Sequence, residues 1–306
     1  MLGVVLGLLA GFTYGAADFI GGLASRRSSA VAVVVISQVA GLVALLLLVG
    51  LLPKSAPTVA DIGWGSAAGL AGAAGITFLY RGLAIGRMSL VSPVTAVIAA
   101  MIPFVWGLVL GERPSLLAIG GVALALIAVV LVSVSEHPGN PVSNAAPGLV
   151  GTSSAARART SKSALNLPPG LVEAMISGLG VGAFYVLLAH TGPDAGLWPL
   201  AGSRSASIAV LLVFAAAGRR TLVPAQGAYP AILLSGVIDM LANAFYLLAT
   251  RHGLLALVAV LASLYPASTV LLARIILNER LTLVQLGGVA CALAAVAGIA
   301  AGQNSR

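Results

Sequence analysis

Five ionisable side chains fall inside long apolar runs of this 306-residue chain: Asp18, Arg81, Arg204, Asp239 and Arg274. A charge at the centre of a bilayer costs about 3 kcal/mol on insertion scales, so such residues face the protein interior and find partners. Arg81 and Arg274 have stems long enough to carry the charge to the interface, and Arg204, near the start of its run, has the same route open. Asp18 and Asp239 are too short for that. Tyr14 and Asp18 are four residues apart, and Asp239, Asn243 and Tyr246 follow i, i+4, i+7 spacing, which puts each group on one helix face. Two such faces turned toward each other line one polar cavity, where a carboxyl group suits reversible proton binding. The alternative is a static pair, Asp18 or Asp239 with Arg81 or Arg204. Tyr80, Tyr185, Tyr265, Trp106 and Phe184 offer aromatic walls for a flat or amphipathic solute, although each serves equally well as packing.

The elements that must position these residues are ten apolar stretches. They run Leu2–Leu23, Val31–Leu52, Ile62–Ile85, Leu90–Gly111, Leu116–Ser135, Leu171–Ala189, Leu200–Gly218, Tyr229–Thr250, Leu254–Leu277 and Leu283–Gly302. A bilayer core roughly 30 Å thick is spanned by about 20 helical residues. The runs are continuously apolar, whereas barrel strands alternate, so helices are the spanning form expected. The chain is 59% hydrophobic, with 16 basic and 8 acidic residues, too few charges for the surface of a soluble domain of this size. The first run lacks a basic leader region, and its apolar stretch exceeds the usual hydrophobic core of a signal sequence, so it reads as a span. Cys291 is the single cysteine, which excludes an intrachain disulfide.

The two halves repeat. Gly111-Glu112-Arg113 with Gly120-Gly121-Val122-Ala123 is echoed by Asn278-Glu279-Arg280 with Gly287-Gly288-Val289-Ala290. The offset of 167 also carries Gly69 onto Gly236, and an offset of 166 carries Ser37-Gln38 onto Ser203-Arg204. Residues 1–135 read as the first repeat, 136–169 as a flexible Ser/Ala/Pro/Asn-rich linker, and 170–306 as the second repeat. Each repeat holds five spans, an odd number, so the second enters the membrane from the opposite side. Inverted repeats of this kind are a common plan of secondary transporters.

Loop charges bear on orientation. Arg26, Arg27, Arg87, Arg157, Arg159, Lys162, Arg219, Arg220 and Arg280 fall on one side, against Lys54, Arg113, Arg251 and Arg306 on the other. The positive-inside rule then places both termini outside. Glycines every fourth residue (Gly3, Gly7, Gly11, Gly15) let helices approach closely. Pro93 and Pro103 in the fourth span and Pro266 in the ninth mark kinks that serve as hinges or cavity walls.

Several functions are disfavoured. The net charge of +8 sits in loops rather than in a basic stripe, which argues against nucleic-acid binding. There is no G-x-S-x-G, H-E-x-x-H or Walker A run, and His137, His190 and His252 are scattered, so neither an enzyme, a metal site nor a cofactor is expected.

The chain resembles the ten-helix EamA-type members of the drug/metabolite transporter superfamily. Three features carry the resemblance: Tyr14-Gly15-Ala16-Ala17-Asp18-Phe19 in the first span, the Glu-Arg pairs followed by glycine-rich helices, and the Arg-bearing start Leu200–Arg204. Gln38 departs from the pattern, standing where Arg204 stands in the second half. The resemblance implies an all-helical basket of two inverted five-helix repeats around a central cavity, lined mainly by the first, third, fourth, sixth, eighth and ninth spans. It also implies transport of metabolites, amino acids or drug-like solutes across the cell membrane. The expected site is Tyr14, Asp18, Arg204, Asp239, Asn243 and Tyr246, with a small solute, protons and membrane lipids as partners. Asp18 or Asp239 is expected to exchange protons, and Arg204 to orient a carboxylate or pair with an aspartate. A lipid-linked carrier or flippase, with Arg81, Arg204 or Arg274 meeting phosphate, and a membrane scaffold without transport are the alternatives.

Overall fold

The computed structural model describes residues 1–25, 28–51, 55–85, 88–133, 168–218, 221–277 and 282–304. Among these, every regular element is a helix: α1 (Leu2–Ser25), α2 (Ala30–Leu51), α3 (Val59–Ile85), α4 (Met88–Val109), α5 (Leu116–Ser133), α6 (Leu171–Ala189), α7 (Trp198–Ala217), α8 (Tyr229–His252), α9 (Leu255–Ala262), α10 (Tyr265–Leu277) and α11 (Leu283–Asn304), with a 3-10 turn at Pro193–Ala195. Eight segments are long and apolar enough to cross a membrane, counting α9 and α10 as one, and α4 and α5 add two shorter apolar stretches. Leu47, Val109, Val213, Ile275 and Leu293 are each more than 60% exposed, as lipid-facing side chains must be. The expected linker up to residue 167 lies outside the described residues, as do most of the loop cations that bear on orientation: Lys54, Arg306 and the nine of the arginine-rich side.

The ninth span differs from expectation. Leu254–Leu277 was expected as one helix, but α9 ends at Ala262 and α10 begins at Tyr265. Pro266, in the first turn of α10, has no N–H to continue the ladder, and its ring disfavours helical geometry at Tyr265. The lower half is stitched to α1 instead: Ser268 Oγ donates to the Gly11 carbonyl and Thr269 Oγ1 to the Gly15 carbonyl, each at 3.1 Å. By contrast, α4 runs unbroken through Pro93 and Pro103.

The short upper half has its own anchor. Both oxygens of Glu112 accept hydrogen bonds from the first turn of α9, from Leu255 N–H at 2.6 Å and Ala256 N–H at 2.9 Å. A carboxylate there satisfies orphan donors and opposes the positive end of the helix dipole. The Glu-Arg motif seen in the sequence thus has a structural task at Glu112; Glu279, its counterpart, lies outside the described residues. Glu112→Ala is expected to destabilise the protein by about 1–2 kcal/mol, with Glu112→Gln intermediate, as read from thermal denaturation in detergent.

The repeats are visible in how glycines are used. A Cβ on Gly69 of α3 would lie 2.0 Å from the Ser203 carbonyl oxygen of α7; a Cβ on Gly236 of α8 would lie 2.1 Å from the Ser37 carbonyl oxygen of α2. Gly11 of α1 abuts Leu261 and Ala262 of α9, while Gly178 of α6 abuts Thr95 and Ile98 of α4. Gly121 of α5 meets Ile299 of α11, and Gly288 of α11 meets Val132 of α5. Apart from Ile98, every residue named here is carried onto a counterpart by an offset of 166 or 167. A contact from the first half to the second therefore recurs as a contact from the second to the first, the signature of a two-fold relation. With five spans per half, that relation is an inverted repeat. The outcome is α3 packed on α6 and α7, α8 packed on α1 and α2, and α5 against α11 at the far side.

One end of the bundle is tied by polar contacts. Asp61 and Thr58 form a reciprocal cap at the start of α3, and Asp61 Oδ1 also accepts from Gly192 N–H at 2.7 Å. Arg251, at the end of α8, donates to the carbonyls of Gly192 and Gly196. These contacts fix the α6–α7 connection against both halves.

Candidate functional site

A cavity of about 110 Å³ opens between the α1–α2–α8 and α3–α6–α7 groups, room for several waters or a small solute. Its polar lining comes from Tyr14 and Asp18 of α1, Gln38 of α2, Ser203, Arg204 and Ser207 of α7, and Asp239 and Asn243 of α8. Its apolar lining includes Phe184, Tyr185 and Tyr265, with Gly69, Gly72, Ala73, Ile76 and Leu79 of α3. The small residues of α3 serve twice. They let α7 approach, and they leave the space that a larger side chain would fill. Two points correct the expected lining: α2 and α7 contribute to it, and among the described residues α4 does not.

The polar groups are organised around Arg204. Of the two routes open to Arg204, snorkelling to the interface or pairing inside, the structure shows the second: its side chain is 7% exposed, with one nitrogen on Asp239 Oδ2 and another on Gln38 Oε1. Burial is reached because Arg204 lies a turn and a half inside α7, too deep for its stem to turn outward past α2 and α8. Gln38 and Arg204 are counterparts in the two repeats, 166 residues apart, and they meet each other. A residue near a two-fold axis contacts its own counterpart, as in any isologous interface. Identical arginines there would repel; a glutamine carbonyl opposite the guanidinium accepts its hydrogen bond. The departure from the repeat pattern at Gln38 is therefore what makes the contact across the axis favourable.

Asp239 is held on its other side by Asn243, whose Nδ2 donates to the Asp239 carbonyl at 2.7 Å and to Oδ2 at 3.3 Å. Asn243 Oδ1 accepts from Tyr14 Oη at 3.1 Å. A continuous chain thus runs Tyr14, Asn243, Asp239, Arg204, Gln38, across α1, α8, α7 and α2. Each donor along it has an acceptor, the condition for a polar network to be tolerated at low dielectric.

Asp18 stands apart. It lines the cavity with its surface open, yet it has neither a hydrogen bond nor an ion pair among the described residues. Of the expected site residues, then, Tyr14, Asp18, Arg204, Asp239 and Asn243 are brought together, whereas Tyr246 lies one layer back. It is fully buried, donates to the Tyr185 carbonyl at 3.1 Å and stacks on the Tyr185 ring with centroids 4.4 Å apart. Tyr246 buttresses the wall of which Tyr185 is the face.

The remaining ionisable residues are peripheral. Arg81 pairs with Glu173 at 3.5 Å and is largely exposed, and Arg274 is exposed on α10. Trp106 is exposed and sits near His190 rather than at the cavity. The Tyr80 side chain lies outside the described residues. Sequence reasoning missed Gln38, Ser203 and Ser207 as polar lining residues. Gln38 carried a signal, as a polar residue in an apolar run at the position equivalent to Arg204. Ser207, small and mildly polar, carried none.

Comparison with known proteins agrees with this architecture. The profile of the EamA-like transporter family matches residues 1–134 and again 168–301, one match to each repeat. No curated relative matches the chain significantly. Among solved structures, one described only as "Crystal structure of protein" is 16% identical, covers 98% of this chain and 96% of its own, and superposes with a TM-score of 0.66. At that identity the likeness concerns the fold alone.

Proposed function

The chain belongs to the EamA-like transporter family, and from that premise we propose that it is a secondary transporter of the cell membrane, moving a small solute by alternating access with proton exchange at Asp18. Membership of the family makes it a multi-pass membrane transporter of small solutes; the mechanism is argued from the cavity. One observation carries it. The two halves wall a shared cavity that contains a satisfied ion-pair network and a carboxyl group, Asp18, without a hydrogen-bond or ion-pair partner among the described residues.

Each part of the cycle has a residue suited to it. Asp239 is committed to Arg204 and Asn243, so it ties α8 to α7 rather than trading protons freely. Asp18 has no such commitment, and it alternates between neutral and charged forms without breaking a contact. The Gln38–Arg204 bond crosses the two-fold axis, so rocking of one half against the other strains or releases it. A solute whose contacts with the cavity walls differ between the two arrangements would couple binding to that motion, because a ligand shifts a conformational equilibrium only through contacts that differ between its states.

The test is transport in proteoliposomes, with a labelled panel of amino acids, nucleosides and drug-like amines, with and without a pH gradient. Asp18→Asn is expected to abolish gradient-driven accumulation while leaving passive exchange. If Asp18→Asn and Asp239→Asn both keep transport and its pH dependence, the proton role is wrong. If no solute moves but a labelled lipid crosses the bilayer, the solute reading gives way to a lipid carrier.

A further inference from the structure

The charge of the cavity points to the charge of its cargo. Among the described residues, three ionisable groups other than tyrosine line it: Arg204, Asp239 and Asp18. The first two neutralise each other through direct contact. With Asp18 ionised, the lining carries one net negative charge at a site without a partner. Asp18 is open to the cavity, so its charge is tolerated while the cavity is wet, and it becomes costly once a solute displaces that water unless something of opposite sign joins it. The walls around it are aromatic and apolar: Tyr14, Phe184, Tyr185 and Tyr265, with Val181, Ile76 and Leu79. Tyrosine and phenylalanine rings attract a cation through their quadrupoles, and the attraction grows when water is excluded.

We propose that this cavity binds a monovalent organic cation with an apolar body, its ammonium set against the Asp18 carboxylate and among the tyrosine rings. The inference rests on the transporter reading above and narrows it to one class of solute. A carboxylate-bearing solute is disfavoured: Arg204 already has Asp239 and Gln38, and such a solute would have to displace an internal acid while leaving Asp18 bare. A neutral solute would leave Asp18 either protonated or uncompensated. The cation and the proton thus compete for one carboxylate. When the cation enters, the O–H bond of a neutral Asp18 breaks and its proton leaves for bulk water, so charge is conserved at the site.

The other groups that face the cavity with Asp18 do not compete for this role. Asp239 of α8 and Arg204 of α7 are paired with each other; Tyr14, Tyr185 and Tyr265, from α1, α6 and α10, are phenols; Gln38 of α2 and the serines of α7 do not titrate; and among the described residues α3 presents only apolar ones to the cavity. Below the Asp18 titration the apparent affinity for cation falls by at most tenfold for each unit of pH, since one proton excludes one cation.

The experiment is binding to the purified full chain in detergent, measured by calorimetry with three probes of similar size: benzyltrimethylammonium, phenylacetate and benzyl alcohol. The first carries a charge that does not titrate. The expected result is binding of benzyltrimethylammonium alone, release of up to one proton per cation at the acidic end of the range, weakening at low pH, loss by roughly tenfold or more in Asp18→Asn, and recovery in Asp18→Glu. Should Asp18→Asn fail to fold, the wild-type proton release and pH dependence decide the matter alone. Binding of phenylacetate or benzyl alcohol in preference to the cation overturns the inference, as does cation binding that ignores pH and persists in folded Asp18→Asn, and as does the absence of any binding of the cation. Proteoliposomes separate this from the parent reading. A cation that binds at Asp18 but is never translocated leaves the site assigned and sinks the transporter mechanism. Transport of an anion or neutral solute without cation binding does the reverse.

Discussion

Asp239→Ala is expected to destabilise this protein by about 3–5 kcal/mol, distinctly more than Arg204→Ala, with the double variant less damaged than Asp239→Ala alone. The asymmetry follows from where the two ends of the ion pair sit. The Arg204 side chain is 7% exposed and that of Asp239 is 31% exposed. Without Asp239, a guanidinium that cannot lose its proton stays buried with the single oxygen of Gln38 opposite it. Without Arg204, the carboxylate turns to a wet cavity and retains Asn243. Removing both leaves no uncompensated charge, and the Asn243–Tyr14 bond survives. A double-mutant cycle by thermal or denaturant unfolding in micelles measures the coupling. Additive effects, or a larger loss at Arg204, would show that the pair is not the buried, asymmetric contact described here.

The sequence made the scaffold legible because lipid enforces it. Backbone groups cannot be left bare in hydrocarbon, so each apolar run had to be a helix, and the run lengths gave the spans to within a few residues. The duplication was legible because glycines at close crossings tolerate no substitute, so Gly69 and Gly236 persist at a fixed offset. The break in the ninth span was only half legible. Pro266 signals a disturbed ladder, but Pro93 and Pro103 signal the same and leave α4 continuous. What decides is tertiary: α9 has a carboxylate waiting at its N-terminus, and α10 has hydroxyls that reach α1.

The site was legible in kind and less so in detail. Polar residues at bilayer depth were bound to converge, and Tyr14, Asp18, Arg204, Asp239 and Asn243 do line one cavity. Whether an aspartate is paired or free depends on which helix lies opposite, which spacing along one helix does not contain. That left Asp18 and Asp239 equivalent on paper, whereas they differ completely in their contacts. Tyr246 shows the limit of face arguments. A position seven residues on is rotated by about 20° from the first, and with a long side chain that is enough to turn from the cavity to the layer behind it.

Alanine at Gly69 and alanine at Gly236 are expected to damage the protein equally, by about 1–3 kcal/mol or more each, and to do so through the same displacement in opposite halves. Added methyl groups would lie 2.0 Å from the Ser203 carbonyl oxygen and 2.1 Å from the Ser37 carbonyl oxygen, contacts with backbone that no rotamer change relieves. Relief requires α3 to move off α7, or α8 off α2. Ser203 precedes Arg204 and Ser37 precedes Gln38, so either movement pulls apart the bond across the two-fold axis. Gly22, Gly63 and Gly120 supply the control, since a methyl group at any of them meets nothing within 4 Å, and alanine there is expected to be neutral or slightly stabilising. Thermal unfolding of the five variants checks the energies. A cysteine cross-link between positions 38 and 204, on a background lacking Cys291, reads the separation across the axis. If Gly69→Ala and Gly236→Ala differ as widely from each other as from the controls, the two crossings are not equivalent. The repeat would then be a relic of sequence rather than the symmetry that positions the cavity.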